Sequence, residues 1–155
     1  MEKIEIDDLD KRILNALQDD ASQTNHQLAE HVHASAPTCL RRVKRLVDAG
    51  VIARQVALLA PEKLGPALTA IVEITLDQQG DERQVEFEEL VAGEVAVLQC
   101  YRVSPGPDFV LMVQVVDVPA YHALAHRLFA THKNVRNVRS YFSIHRSKFE
   151  TRIAV

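Results

Sequence analysis

The sequence contains no tryptophan, and aromatic residues make up only 5% of its 155 positions. So little aromatic surface argues against a protein that binds carbohydrate by stacking. No apolar run approaches the roughly 20 residues of a membrane-spanning helix. The N-terminal residues are charged rather than apolar, which predicts that no signal peptide is present. We therefore expect a cytoplasmic protein with no membrane partner.

Cysteine and glycine are also scarce. Cys39 and Cys100 lie far apart in apolar-periodic stretches, where a thiol behaves as a small hydrophobe, so neither a disulfide nor a zinc site is predicted. The five glycines form no phosphate-cradling loop, and no Gly-x-Ser-x-Gly motif occurs, so we expect no catalytic residues, no enzyme activity and no cofactor. His122 and His126 have helical i, i+4 spacing, but without an HExxH glutamate a metal site is the less favoured interpretation.

Charge is distributed unevenly along a chain whose net charge is −3. Residues 1–35 carry eight acidic and three basic side chains, whereas residues 36–54 carry five basic and one acidic. A local excess of one sign matters more for the choice of partner than the total does. The basic segment therefore indicates contact with a polyanion.

Residues 9–50 carry the signals of three helices. An apolar i, i+4, i+5, i+8 stripe starts the first at Leu9. The second begins at Thr24 in a Thr-x-x-Gln capping box. The third has Ser35 as its N-cap and ends at Gly50. The second and third helices are joined by a tight turn, which predicts a helix-turn-helix with the third helix in the recognition position.

The third helix is amphipathic and basic. We expect its core-facing residues to be Leu40, Val43, Leu46 and Val47. On the opposite side the sequence predicts Thr38, Arg41, Arg42 and Arg45, with Lys44 at the edge. A solvated face is the simpler alternative, but the capped turn and the acidic surroundings favour DNA. The predicted DNA-binding residues are Thr24, Asn25, Ser35, Pro37, Thr38, Arg41, Arg42, Lys44 and Arg45.

The hydrophobic period changes after this segment. Residues 51–56 are predicted to form a short strand, or wing, which completes a DNA-binding domain over 1–60, and 61–67 is a linker that contains two prolines. Residues 68–155 then read as strand, helix, strand, strand, helix, strand, the ferredoxin-like βαββαβ order. The predicted class is α+β. Because the middle strands are apolar on both faces and helices cover one, we expect the other face to bind a second subunit.

Four stretches resemble the Lrp/AsnC (leucine-responsive, feast/famine) family of transcriptional regulators: LDKRILNALQDD, TNHQLAEHV, SAPTCLRRVKRLVDAGVI and VEITL. The likeness runs from about Leu9 to about Lys148. It implies a winged helix-turn-helix that binds double-stranded DNA. It also implies a ferredoxin-like module that dimerises, assembles into octamers or similar discs, and binds amino acids between subunits.

The resemblance also implies an effector pocket beside the loop after the second strand. Where the family has a Gly-Asp pair this chain has Pro105 and Gly106, and Asp108 matches a second acidic position. The implied effector-binding residues are Ser104, Gly106, Asp108, Asn137, Arg139 and Ser140. An acid there would bind an ammonium group, and Arg139 a carboxylate. A different effector, no effector, or a merely rigid Pro-Gly-Pro turn are the alternatives.

Together these patterns predict a sequence-specific DNA-binding regulator modulated by a small molecule, most simply an amino acid. A rival from another class is an amino-acid-binding module that regulates a protein partner without DNA. A metal-sensing repressor that uses the two helical histidines is the second rival.

Overall fold

The structure is a computed structural model that describes residues 4–155, and the chain divides into two compact units. The first unit contains the described residues up to Leu58 together with Lys148–Val155, and the second is Leu59–Ser147. The C-terminal segment 148–155 thus groups with the first unit, whereas the sequence analysis assigned it to the second. The predicted α+β class is confirmed.

Three helices form the first unit: α1 (Asp8–Asp19), α2 (Asn25–His31) and α3 (Ala36–Asp48). Their packing buries one apolar cluster, whose members are Ile13, Leu14, Ala16, Leu28, Ala29, Val32, Cys39 and Leu46. Cys39 is completely buried, and both cysteines are free. The small apolar thiol fills a position where the helices approach each other, as expected for a buried cysteine.

The side of α3 that faces this core differs from the prediction. Leu40 and Val47 are 62% and 49% exposed, while Cys39 and Leu46 are buried and Val43 is half-buried. Leu46 and Val43 thus lie on the core side as predicted, whereas Cys39 takes the place of Leu40 and Val47, so the helix is rotated by less than one residue position from the predicted orientation. The rotation brings Arg42 toward α1.

The predicted wing strand over 51–56 is also wrong. Among the described residues, 53–60 have no regular secondary structure and pair with no strand. Two amides after α3 instead close it: the N–H groups of Val51 and Ile52 both donate to the carbonyl of Leu46. An extended apolar segment becomes a strand only where another strand offers hydrogen bonds, and no described residue of this chain does so.

The second unit is a four-stranded antiparallel sheet covered by helices. Its elements are β1 (Leu68–Leu76), α4 (Asp81–Ala92), β2 (Val97–Arg102), β3 (Phe109–Val115), α5 (Val118–Ala125) with a following π-helical turn (His126–Ala130), and β4 (Val135–Phe142). The strand order is β2-β3-β1-β4. This is the predicted ferredoxin-like arrangement, in which β1 and β3 are the central pair.

Alternation along the central strands separates two faces of the sheet. On β1, Val72 and Ile74 are buried with the helices, in one cluster that includes Phe87 and Phe129. The intervening residues form the opposite face, which the helices leave uncovered and which we call the open face; its apolar members are Ile71, Val110, Met112, Tyr101 and Tyr141.

Candidate functional site

The turn between α2 and α3 is fixed by side-chain hydrogen bonds. At the start of α2, Thr24 Oγ1 accepts from the Gln27 N–H and Gln27 Oε1 accepts from the Thr24 N–H, at 3.3 and 2.8 Å. This is the predicted capping box. The Asn25 side-chain amide donates to the Ala36 carbonyl at 2.8 Å. Asn25 therefore ties the first residue of α2 to the first residue of α3.

The start of α3 presents two hydroxyl groups. Ser35 is the N-cap, and its Oγ accepts from the Thr38 N–H at 3.4 Å and lies 2.8 Å from Thr38 Oγ1. His33 precedes it with a φ of 54°, a left-handed conformation that histidine tolerates in a tight turn. The N-terminus of α3 and these hydroxyls together form a surface of hydrogen-bond donors, which suits phosphate oxygens.

Two of the four basic residues of α3 are bound to acids of the same unit. Arg42 Nη1 lies 2.6 Å from Asp7 Oδ2 and 3.3 Å from both carboxylate oxygens of Asp10. Arg45 Nη2 also contacts Asp10 Oδ2. Asp10 is completely buried, although it is charged. A buried carboxylate must be paired, and two guanidinium groups pair this one.

Asp7 and Asp10 are held in place by the start of α1. Each backbone N–H donates to the other residue's carboxylate, at 3.1 and 2.9 Å, so the two acids form a reciprocal cap. The Asp10 N–H, together with the Arg42 guanidinium, lowers the pKa of Asp7 from 3.8 to about 2. Because Asp7 accepts its hydrogen bond, the pKa of Arg42 is raised. The contact of these acids with α3 was not predicted from the sequence.

The other two basic residues of α3 face outward. Arg41 and Lys44 are exposed, and within residues 4–155 neither forms an ion pair or a side-chain hydrogen bond. Pro37 and Leu40 are exposed on the same side of the helix. These four residues recur at i, i+3, i+4 and i+7 and form one surface, which we call the outer face of α3.

The implied effector residues lie in the loop between β2 and β3 and on β4. Asp108 is 8% exposed, and its Oδ2 accepts from the Leu76 N–H at 2.6 Å. Its own N–H donates to the Ile74 carbonyl at 2.8 Å. Within this chain Asp108 therefore closes the end of β1. Next to it, Gly106 has a φ of 124°, which favours glycine.

The three implied residues on β4 lie on different faces. Ser140 is paired with Val72 in the register, so it faces the helices, where its hydroxyl contacts the Tyr121 hydroxyl. Arg139 is paired with Glu73 on the open face, 3.6 Å from the carboxylate, and Asn137 is on that same face. Ser104 and Gly106 are exposed in the loop between β2 and β3.

The surface cavities of the second unit include two that these residues do not line. One of about 300 Å³ lies between α4 and β2 beside Glu88 and Cys100. The other, of about 400 Å³, is lined by His122, His126, Ala125, Phe129, Ala130 and Val138. Among the described residues no group of three or more potential ligands could hold a metal ion. Over the same residues no helix is long and apolar enough to cross a membrane.

Two family profiles together match nearly the whole chain. The profile described as winged helix-turn-helix DNA-binding matches residues 6–53. The profile described as the Lrp/AsnC ligand binding domain matches residues 69–153.

Relatives with the same organisation were found among known proteins. The chain is 36% identical to the leucine-responsive regulatory protein of Rhizobium meliloti, over 94% of each sequence. The crystal structure of an AsnC family regulator from Agrobacterium tumefaciens is 35% identical, with a TM-score of 0.88 and 95% of each chain covered. A transcriptional regulator from Neisseria meningitidis, solved as a complex with L-methionine, is 31% identical with the same TM-score and coverage.

Proposed function

This chain belongs to the Lrp/AsnC family of DNA-binding transcriptional regulators, and we propose that it binds DNA through the outer face of α3 under the control of an amino acid. The proposal assigns no catalytic role to any residue. It places the protein in the cytoplasm, where bacterial DNA is found.

The DNA surface is assigned from the different surroundings of the four basic residues of α3. Arg42 and Arg45 are paired with buried or partly buried acids, so their charge is largely neutralised within the unit. Arg41 and Lys44 carry no such partner among the described residues and point outward. Free cations bind phosphates, and an arginine can also donate two hydrogen bonds to guanine O6 and N7.

The remaining predicted residues take supporting roles in this proposal. Ser35 and Thr38 donate to phosphate oxygens at the N-terminus of α3, where the helix dipole also favours an anion. Thr24 is placed in the same way at the start of α2. Asn25 positions the turn through its hydrogen bond to Ala36.

A charge reversal tests the DNA surface. We expect Arg41→Glu with Lys44→Glu to abolish the retention of a duplex in a gel shift, because both free cations become repulsive. Lys63→Glu with Lys133→Glu makes a matching reversal of two cations in the second unit and should leave retention nearly intact. Unchanged retention by the α3 variant would favour the rival, an amino-acid-binding module that acts without DNA.

The open face of the sheet supports a dimer in this proposal. Ile71 is 37% exposed and Tyr101 and Tyr141 are about half exposed, although all three lie within strands of the sheet. An apolar sheet face is stable in water only when another surface covers it, and a second copy offers a matching one. In such a dimer the paired α3 helices would contact half-sites roughly 34 Å apart. Further assembly into octamers follows from the family resemblance.

Sedimentation velocity tests this interface. Ile71→Asp should convert the assembly to smaller species, because a carboxylate would be buried without a partner. The matched control is Val95→Asp, at a residue that is 91% exposed and outside the sheet. Equal sedimentation of both variants and the parent protein would contradict the proposed interface.

An amino-acid effector is supported by the matched ligand-binding profile and by the L-methionine complex of the Neisseria relative. Of the implied residues, Ser104, Gly106, Asn137 and Arg139 remain accessible, whereas Asp108 and Ser140 are engaged in the fold. We expect at least one of the twenty amino acids to raise the thermal midpoint, because a ligand that binds only the native state stabilises it. No shift with any of them would contradict the effector assignment.

A further inference from the structure

Leu40 is an exposed apolar residue beside the two outward-facing cations of α3. It is the fifth residue of α3 and is 62% exposed, because Cys39 occupies the core position beside it. Its neighbours at i−3, i+1 and i+4 are Pro37, Arg41 and Lys44. Leu40 therefore belongs to the outer face of α3, which the proposed function places against DNA.

The major groove offers few groups that an apolar side chain can bind. Base edges there present hydrogen-bond donors and acceptors, and the C5 methyl of thymine is the apolar exception. The N-terminal part of a recognition helix is the part that contacts base edges. Leu40 lies in the first half of a thirteen-residue helix, so its position and its chemistry agree.

We propose that Leu40 is a specificity-determining residue that contacts the methyl group of a thymine in each half-site. This inference rests on the proposed DNA-binding function of α3. Arg41 and Lys44 beside it supply the attraction to the duplex, and Leu40 supplies discrimination between thymine and cytosine. The sequence analysis missed this role, because it assigned Leu40 to the core.

Val47 is the natural comparison on the same helix. It is 49% exposed and apolar, but it is the twelfth of thirteen residues, far from the end that approaches base edges. Leu40 and Val47 are seven residues apart and so lie along one side of α3. The competing explanation for their exposure is that this side contacts another subunit.

The test uses the full-length protein and removes one methyl group at a time. A duplex library with random sequence would first be selected for retention by the protein. In the selected duplex, each thymidine of one half-site would then be replaced by 2′-deoxyuridine, which differs only by the C5 methyl. We expect one replacement to weaken binding by the parent protein about fourfold, the effect of one buried methyl-sized group.

Comparing the effect of the missing methyl group in the parent protein and in the variants identifies the side chain that contacts it. In Leu40→Ala the same replacement should change affinity by less than about twofold, because the partner of the methyl is gone. Val47→Ala should retain the full effect seen with the parent. Both variants remove exposed apolar atoms, so both should remain folded.

Each other outcome overturns the inference in a distinct way. If duplexes are retained but no replacement matters, or if Leu40→Ala and Val47→Ala respond equally, Leu40 does not read a methyl group and the proposed function stands. If Leu40→Ala changes the sedimentation coefficient, its side chain contacts a subunit. If no duplex is retained, the proposed function itself fails.

Discussion

The buried carboxylate of Asp10 gives the sharpest prediction for the stability of the first unit. Asp10→Asn keeps the shape of the side chain and one acceptor oxygen, but removes the charge that Arg42 and Arg45 contact. A hydrogen bond to a charged group contributes about 1.5–3 kcal/mol. Breaking a fully buried ion pair costs about 3–5 kcal/mol.

The expected loss of stability is smaller than that for a fully buried ion pair. The Arg42 and Arg45 side chains are 24% and 41% exposed, so water can solvate them once the charge of Asp10 is gone. We therefore expect Asp10→Asn to lower the free energy of unfolding by about 2–3 kcal/mol. In a unit of about 60 residues that corresponds to a thermal midpoint lower by about 10–20 °C.

Differential scanning calorimetry of the full-length protein measures this change. The matched control is Asp8→Asn, the same substitution two residues earlier in the first turn of α1, where the side chain is exposed. An exposed residue of this kind should change stability by about 0.5 kcal/mol or less. Equal midpoints for Asp10→Asn and Asp8→Asn would refute the claim that Asp10 holds α3 against α1.

Three further predictions concern the same unit. The pKa of Asp7 is lowered from 3.8 to about 2, so its contribution to stability is complete above pH 3.8 and is lost as pH falls through 2. Over that pH range, the thermal midpoint of the parent protein should therefore fall further than that of Asp7→Asn. His33→Val should lower the free energy of unfolding by about 1–2 kcal/mol in urea titrations while His33→Gly does not, because φ at this position is 54°. Gln18→Ala should speed hydrogen exchange at the Ile153 amide, which donates to Gln18 Oε1 at 2.8 Å, whereas Lys148→Ala should leave it unchanged.

The sequence predicted the elements of the second unit well because their signals are local. The alternation on β1 is visible in its residues, and burial follows it from Ala70 to Leu76. The open face was predicted for the same reason. The contact between Asp108 and the Leu76 amide was not predicted, because the two residues are 32 positions apart and no local pattern identifies such a contact.

The prediction of a wing strand was wrong for a related physical reason. Residues 51–56 have the composition of a strand, but a strand exists only with a hydrogen-bonding neighbour, which composition does not reveal.

The predicted orientation of α3 was wrong because two apolar stripes overlap in its sequence. One stripe contains Cys39, the other contains Leu40 and Val47, and Val43 and Leu46 belong to both. Periodicity alone does not decide between stripes one residue apart.

What decides the orientation is the distribution of charge on α1. The stripe through Cys39 carries Arg42 with it toward the core, which is unfavourable unless a carboxylate lies there. Asp10 provides that carboxylate and reaches Arg45 as well, so the pair of acids at the start of α1 selects one rotation of α3 over the other. This information is tertiary, and a single helix does not contain it.

The same rotation separates the four basic residues into two pairs. Arg42 and Arg45 are three residues apart and turn toward Asp10, while Arg41 and Lys44 have the same spacing, are displaced by one residue, and turn outward. Each pair tolerates substitution differently. Lysine at position 42 would lose the fork that contacts two acids, whereas arginine at position 44 would keep a cation facing phosphate. We therefore expect Arg42→Lys to lower the thermal midpoint and Lys44→Arg to preserve both stability and DNA affinity, and the opposite pattern would reverse the roles assigned to the two pairs.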